Sequence, residues 1–166
     1  MTTAVYLSLG SNVGDRERNL GEAINRLEAF GRVISVSSLY ETEPVEFIEQ
    51  SWFLNGVVAF ETDKSASQLM SSLLQIEQEM GRQRLQNKGP RIIDIDILLF
   101  GDQVVDAAQL TIPHPAMTRR RFVLEPLAEI APEVRHPVLG KNIRELLRAL
   151  PPGQRVRKLS ANQSGT

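Results

Sequence analysis

The order strand, helix, strand, strand, helix, strand predicts an α+β fold, a ferredoxin-like α/β sandwich with a mainly antiparallel sheet and helices packed on one face. Two observations carry that order. Short apolar stretches that alternate or run continuously end in clusters of Gly, Pro, Asn or Asp, which marks strands. Between them, apolar residues recur at three- and four-residue steps, which marks helices.

Residues 4–9 read as a buried strand closed by Gly10-Ser11-Asn12. Leu20, Ala23, Ile24, Leu27 and Phe30 fall on one helical face, with Gly31 as the C-cap. Residues 32–41 give a second strand, broken by Thr42-Glu43-Pro44, and Phe53 to Thr62 a third. Ser65 and Gln68 have the spacing of a capping box, ahead of a helix with the stripe Leu69, Leu73, Ile76 and Met80. Ile92 to Phe100 is the strongest strand, and its continuous apolar run argues for a central place in the sheet. A short helical stretch from Val123 to Ile130 is interrupted by Pro126. Asn142, with Glu145 three residues on, starts a last helix whose apolar face is Ile143, Leu146, Leu147 and Leu150. One domain is expected over residues 1–158, and the small polar tail, 159–166, is expected to be disordered.

The 166 residues carry a net charge of only −1, which argues against a dedicated nucleic-acid binder. The absence of cysteine excludes disulfides and thiolate-bound zinc, and the two histidines, His114 and His136, are too few for a histidine-rich metal cluster. No apolar run approaches the roughly 18 residues of a membrane helix. The expectation is a cytoplasmic monomer with neither nucleic acid nor membrane as partner.

Chemistry concentrates in Ile92-Ile-Asp-Ile-Asp-Ile-Leu-Leu-Phe100. Strand alternation puts Asp94 and Asp96 on one face, their Cα atoms about 6.5–7 Å apart. Two such carboxylates repel unless a cation or basic partner compensates. A bare Asp-x-Asp on an edge strand would more often be a wet face that discourages aggregation. The apolar run tilts the balance to a magnesium site, since that hard ion takes one or two carboxylates plus substrate phosphates. The basic stretch Gly81-Arg-Gln-Arg84 with Lys88-Gly-Pro-Arg91 lies immediately before it, and arginine forks suit polyphosphate oxygens. Neither a Walker A nor a kinase glycine-rich loop is present. Pro113-His114-Pro115 holds a histidine in a rigid turn, although a lone histidine is more often structural. Phe53 and Asn55 share a strand face, an aromatic plane beside an amide, which suits a flat heterocycle.

Together these pieces resemble the 6-hydroxymethyl-7,8-dihydropterin pyrophosphokinase family of folate biosynthesis, from about Val5 to about Leu150. The carriers are Leu9-Gly-Ser-Asn12, Phe53-Leu-Asn55, the highly specific Gly89-Pro-Arg-Ile-Ile-Asp-Ile-Asp-Ile-Leu-Leu-Phe-Gly101, and Ile112-Pro-His114. The resemblance implies a ferredoxin-like fold and pyrophosphoryl transfer from ATP to the hydroxymethyl group of 6-hydroxymethyl-7,8-dihydropterin, with AMP leaving. It implies two magnesium ions bridged by Asp94 and Asp96. Arg82 and Arg91 correspond to the family's phosphate-contacting arginines, and Arg84 and Arg120 to further basic positions there. His114 corresponds to its ATP-contacting histidine. Ile97 and Thr111 fall at adenine and ribose. Phe53 and Phe122 match the aromatic pair that sandwiches the pterin, Asn55 and Glu77 its polar readers, and Thr42, Pro44 and Val45 line the same pocket. Lys88 stands where the best-known members have a tryptophan, Leu74 where they have a polar residue, and Phe53 where they have a tyrosine. The loop between Arg84 and Gly89 is one residue shorter.

Two other readings share these residues. A metal-dependent phosphohydrolase or nuclease would use the same aspartates with water as nucleophile. A non-catalytic ferredoxin-like binding module would leave them incidental.

Overall fold

A computed structural model describes residues 1–43, 52–81, 92–153 and 155–159. Pro44, Val45, Arg82, Arg84, Lys88 and Arg91 lie outside the described residues. The elements are β1 (Thr3–Ser11), α1 (Arg16–Leu27), β2 (Arg32–Val36), β3 (Tyr40–Thr42), β4 (Phe53–Thr62), α2 (Ala66–Glu79), β5 (Asp94–Phe100), β6 (Val105–Ala107), β7 (Leu110–Ile112), α3 (Arg121–Ile130), α4 (Ile143–Arg148) and β8 (Val156–Lys158). The main sheet runs β5-β1-β4-β3-β8, with β2 also paired to β4, and every pairing is antiparallel. β6 and β7 pair separately. Among the described residues no helix is long and apolar enough to cross a membrane.

Alternation sorts the sheet into two faces. On one face Leu7, Leu9, Leu54, Phe60, Ile95 and Ile97 pack against Leu20 and Leu27 of α1 and Leu69, Leu73 and Ile76 of α2. On the other, Val57, Leu98 and Leu99 meet Val123, Leu124 and Leu127 of α3 and Ile143 and Leu146 of α4. The expected antiparallel α+β sandwich is present, but helices cover both faces rather than one. A register shift between Tyr6 and Leu7 accounts for the consecutive Leu98 and Leu99 both joining the second core.

The continuous apolar run of β5 therefore reflects two buried faces and not a central position, because β5 is the end strand of the sheet. Its free edge is covered instead. The Glu77 carboxylate accepts the Ile95 N–H at 2.8 Å, and the His114 N–H reaches the Leu98 carbonyl at 3.0 Å.

Helix starts follow the sequence closely. Ser65 with Gln68, and Asn142 with Glu145, both form complete capping boxes. Asp15 caps α1 through the Arg18 N–H. Pro126 lies inside a continuous α3 rather than interrupting it. Two other expectations need correction. Residues 32–41 form two strands, β2 and β3, both paired to β4. Gly31 is not a helix cap: α1 ends at Leu27, and the positive φ that such a cap takes is absent there. A Cβ at Gly31 would lie 2.2 Å from the Glu61 carbonyl and 2.5 Å from the Phe60 ring, so glycine is needed for close approach to β4.

α3 is tied to β3 by one carboxylate. Glu129 accepts from the Ser38 N–H (3.0 Å), the Ser38 hydroxyl (2.8 Å) and the Tyr40 hydroxyl (2.7 Å). Burial pushes its pKa up, but these hydrogen bonds outweigh that and hold it below the usual carboxylate value.

Two alanine substitutions should separate close approach from helix propensity. Gly31→Ala must displace backbone or the Phe60 ring and should lower stability by about 1–3 kcal/mol. Gly21→Ala, exposed within α1 with nothing within 4 Å of the new Cβ, should raise it by roughly 0.5–1 kcal/mol. Urea denaturation of both variants measures the two signs.

Candidate active site

The site is laid out by strand register. Gly10 of β1 pairs with Asp94 of β5 on one side and Asn55 of β4 on the other, and Asn55 pairs with Tyr40 of β3. One row later Ser8 lies between Asp96 and Val57. Directly opposed residues project to the same face, so Asp94, Asp96, Asn55 and Phe53 all rise from the face that carries α3. Gly10, itself buried, makes room for the Asn55 amide. A Cβ there would lie 2.6 Å from the Asn55 Oδ1 and 3.6 Å from the Phe53 ring. The carboxylates stand along one side and the amide and aromatic ring along the other, on strands two spacings or about 9.5 Å apart, and the groove between them is floored by Gly10 and the Asn55 amide.

Thr42 and Asn55 are both buried, and the Asn55 Nδ2 donates to the Thr42 Oγ1 at 2.8 Å. Thr42 thereby fixes the orientation of the amide, leaving Oδ1 over Gly10. Asp94 and Asp96 are half-buried. Among the described residues no group of three or more Asp, Glu or His side chains could hold a metal ion. A cation on the aspartate pair would thus be a hard ion that completes its shell with water and phosphate oxygens, and the donor set fits magnesium.

The segment that docks along β5 supplies the next wall. His114 Nδ1 accepts the Ala116 N–H at 3.1 Å, which leaves the proton of the neutral ring on Nε2. Burial lowers the His114 pKa, the Arg120 guanidinium lowers it further, and the Asp94 carboxylate opposes both. Arg120 lies over the Phe122 ring, 5.4 Å from its centroid. Asp94, His114, Arg120 and Phe122 are therefore one neighbourhood, in which residues expected at the nucleotide meet a residue expected at the pterin.

Glu77 falls elsewhere, and Ile97 and Thr111 lie outside this row. Glu77, read as a partner of Asn55 at the pterin edge, is buried on the α2 side of the sheet and caps the Ile95 N–H. The sheet separates it from Asn55 and Phe53. The Ile97 side chain belongs to the core under α2, so only its backbone, on the edge strand, could meet a nucleotide. Thr111 is exposed on β7, in the small second sheet. Gly10, expected to close the first strand, lies within β1, and Tyr40 joins the row without a site role expected of it. The usable signal for Gly10 was a glycine in an otherwise apolar strand, which marks close approach of another group.

The sequence model of 7,8-dihydro-6-hydroxymethylpterin-pyrophosphokinase matches residues 6–132. The chain belongs to this family. It is 46% identical over 136 residues to the 2-amino-4-hydroxy-6-hydroxymethyldihydropteridine pyrophosphokinase of Bacillus subtilis, covering 81% of each chain. It is 45% identical over 148 residues to a folic acid synthesis protein of Schizosaccharomyces pombe, covering 88% of this chain but only 20% of that protein. This chain thus spans about a fifth of that longer relative. Among solved structures, the wild-type HPPK-DHPS of Plasmodium falciparum with pteroate superposes with a TM-score of 0.72 at 21% identity, over 89% of this chain and 42% of that one. The shared fold accounts for that likeness. The family's function is pyrophosphate transfer in folate biosynthesis, and it uses ATP, generally with magnesium. The matched span holds the whole Asp94–Gly10–Asn55–Tyr40 row, whereas α4 and β8 lie beyond it.

His114 should titrate below the ordinary histidine value, with Arg120→Ala moving it up and Asp94→Asn moving it further down. The unfolded chain then holds the proton more tightly, so this histidine's contribution to stability is full above its ordinary pKa and fades as pH falls through it. NMR titration of the imidazole in each variant checks both signs. An upward shift in Asp94→Asn would contradict the assigned geometry.

Proposed function

We propose that residues 1–158 act as one domain, as a monomer, transferring the β,γ-pyrophosphoryl group of ATP to the hydroxymethyl oxygen of 6-hydroxymethyl-7,8-dihydropterin. The observation that carries this reading is the shared row. The carboxylates suited to a magnesium nucleotide and the amide and ring suited to a pterin flank one glycine on one sheet face.

In the transfer the hydroxymethyl oxygen bonds to the β-phosphorus. The bond from that phosphorus to the oxygen bridging the α-phosphate breaks, AMP leaves with that oxygen, and the hydroxyl proton passes to solvent. Such reactions need positioning and charge neutralisation more than covalent help. Asp94 and Asp96 would hold the magnesium, two ions in this reading. When bound, magnesium neutralises phosphate charge and eases loss of the hydroxyl proton. His114, protonated on Nε2, donates towards phosphate, and Arg120 adds charge there. Arg82, Arg84 and Arg91, outside the described residues, are assigned to phosphates on the family resemblance, Arg82 and Arg91 as the charge-stabilising pair of the chemical step. Thr111 and the Ile97 backbone are assigned to the nucleoside.

Phe53 and Phe122 come from opposite walls of the groove and would stack on the two faces of the pterin, each adding about 0.5–1.5 kcal/mol beyond area burial. Asn55, oriented by Thr42, reads the ring edge, and Pro44 and Val45 are assigned to the same pocket. Glu77 is reassigned from the pterin to guarding the β5 edge.

The test is AMP release in the presence of ATP, magnesium and the hydroxymethyl pterin. Wild-type protein should give AMP and pterin diphosphate in equal amounts, and ATP consumption without pterin would overturn the reading. Asp96→Ala should lose at least about a hundredfold in turnover. Its denaturation midpoint should stay near wild type, since Asp96 is half-buried on an end strand and belongs to neither apolar core.

Phe122→Ala should weaken pterin binding roughly tenfold, the equivalent of about 1.4 kcal/mol, and leave ATP affinity without pterin nearly constant. Separate calorimetric titrations decide it, and the reverse pattern would mean the two ligand sites are exchanged.

A further inference from the structure

On the sheet face opposite the groove, Asn12, Gly14, Arg16, Glu41, Trp52 and Arg157 line a cleft of about 420 Å³. Its charged groups are already engaged with one another. Arg16 donates to the Glu41 carboxylate at 2.6 Å and to the Trp52 carbonyl at 2.8 Å. Arg157, on β8, donates to the other Glu41 oxygen at 2.8 Å, and its guanidinium lies 4.8 Å from the centre of the Trp52 ring. Arg155 adds a second cation at 5.6 Å from that ring, and both its backbone N–H and its guanidinium reach Glu43. Such a cluster is a fastening rather than a vacant binding site.

What it fastens is the outer end of the groove. β8 pairs with β3, setting Val156 beside Thr42, and Thr42 in turn pairs with Phe53. Trp52 directly precedes Phe53, so a hold on Trp52 from the far face fixes where the Phe53 ring enters the near face. Glu41 likewise lies between Tyr40 and Thr42, whose side chains face the groove.

We propose that β8 is a clasp: Arg155 and Arg157 grip Glu41, Glu43 and Trp52, and so position Thr42 and Phe53 for the pterin. The inference rests on the pterin assignment made above. It gives a role to a strand that lies beyond the matched family span. Arg155 and Arg157 act as positioning residues, because the substrate would meet Phe53 and Asn55 and not the arginines.

The side chains of Arg155 and Arg157 are largely exposed, so their removal should leave the fold intact. Trp52 is the only tryptophan of the chain and reports on the clasp directly. In the full-length Arg155→Ala/Arg157→Ala variant, Trp52 emission should change, the KM for the hydroxymethyl pterin should rise at least about fivefold, and the KM for ATP and kcat should stay within about twofold. The Arg155→Lys/Arg157→Lys variant keeps the charges but loses the planar fork and should fall between the two.

Unchanged Trp52 emission would show that the clasp does not form in solution. A changed emission with unaltered pterin KM, or an equal rise in both KM values, would overturn the positioning role while wild-type activity keeps the functional reading intact. A wild-type chain without pterin-dependent AMP release would overturn both.

Discussion

Antiparallel register is the constraint on which the site depends. Pairing β1 with both β4 and β5 brings Asp94, Gly10 and Asn55 into one line, although they are dozens of residues apart in the chain. Because the side-chain period of a strand is two, a slip of one residue would send both aspartates into the core beneath α2 and raise isoleucines into the groove. The opposed alternatives are so unequal in cost that the packing of Ile95 and Ile97 under α2 is also what holds the aspartates towards the substrate side.

The same sheet has to serve two cores. Helices α1 and α2 cover the apolar rows of one face and α3 and α4 those of the other, where Gly10, Asn55 and Tyr40 are buried while Asp94, Asp96 and Phe53 stay half-exposed. That asymmetry locates the chemistry. α3 also bears on it directly, since Phe122 lies in its first turn, and Glu129 near its other end anchors it to Ser38 and Tyr40. Tyr40 is itself a member of the row, so the helix that brings the second aromatic ring is tied to the strands that bring the first.

Electrostatics reinforces the layout. His114 senses Arg120 and Asp94 together, with burial keeping it neutral, so a donor rather than a second fixed cation faces the groove. Glu41 on the reverse face is held below the usual carboxylate value, chiefly by its hydrogen bond from Arg16, against the opposing effect of burial, with Arg157 adding to the lowering.

Much of this was legible in the sequence because it depends on local periodicity. β4 and the α2 capping box fall where spacing put them, and the same-face disposition of Asp94 with Asp96 and of Phe53 with Asn55 follows from alternation alone. The family motif around Asp94 and Asp96 added the activity. The neighbours across the sheet were not legible. An apolar run looks the same whether its strand is central or an edge covered on both faces, so it does not reveal that β5 ends the sheet. Glu77 is set one turn below Leu73, and only packing decides that its carboxylate turns to the Ile95 amide on the far side of the sheet. Gly31 as spacer, Gly10 as groove floor and Trp52 gripped by two distant arginines depend on contacts between segments far apart in the chain. Periodicity assigns each side chain to a face; only the folded sheet decides which residues share it.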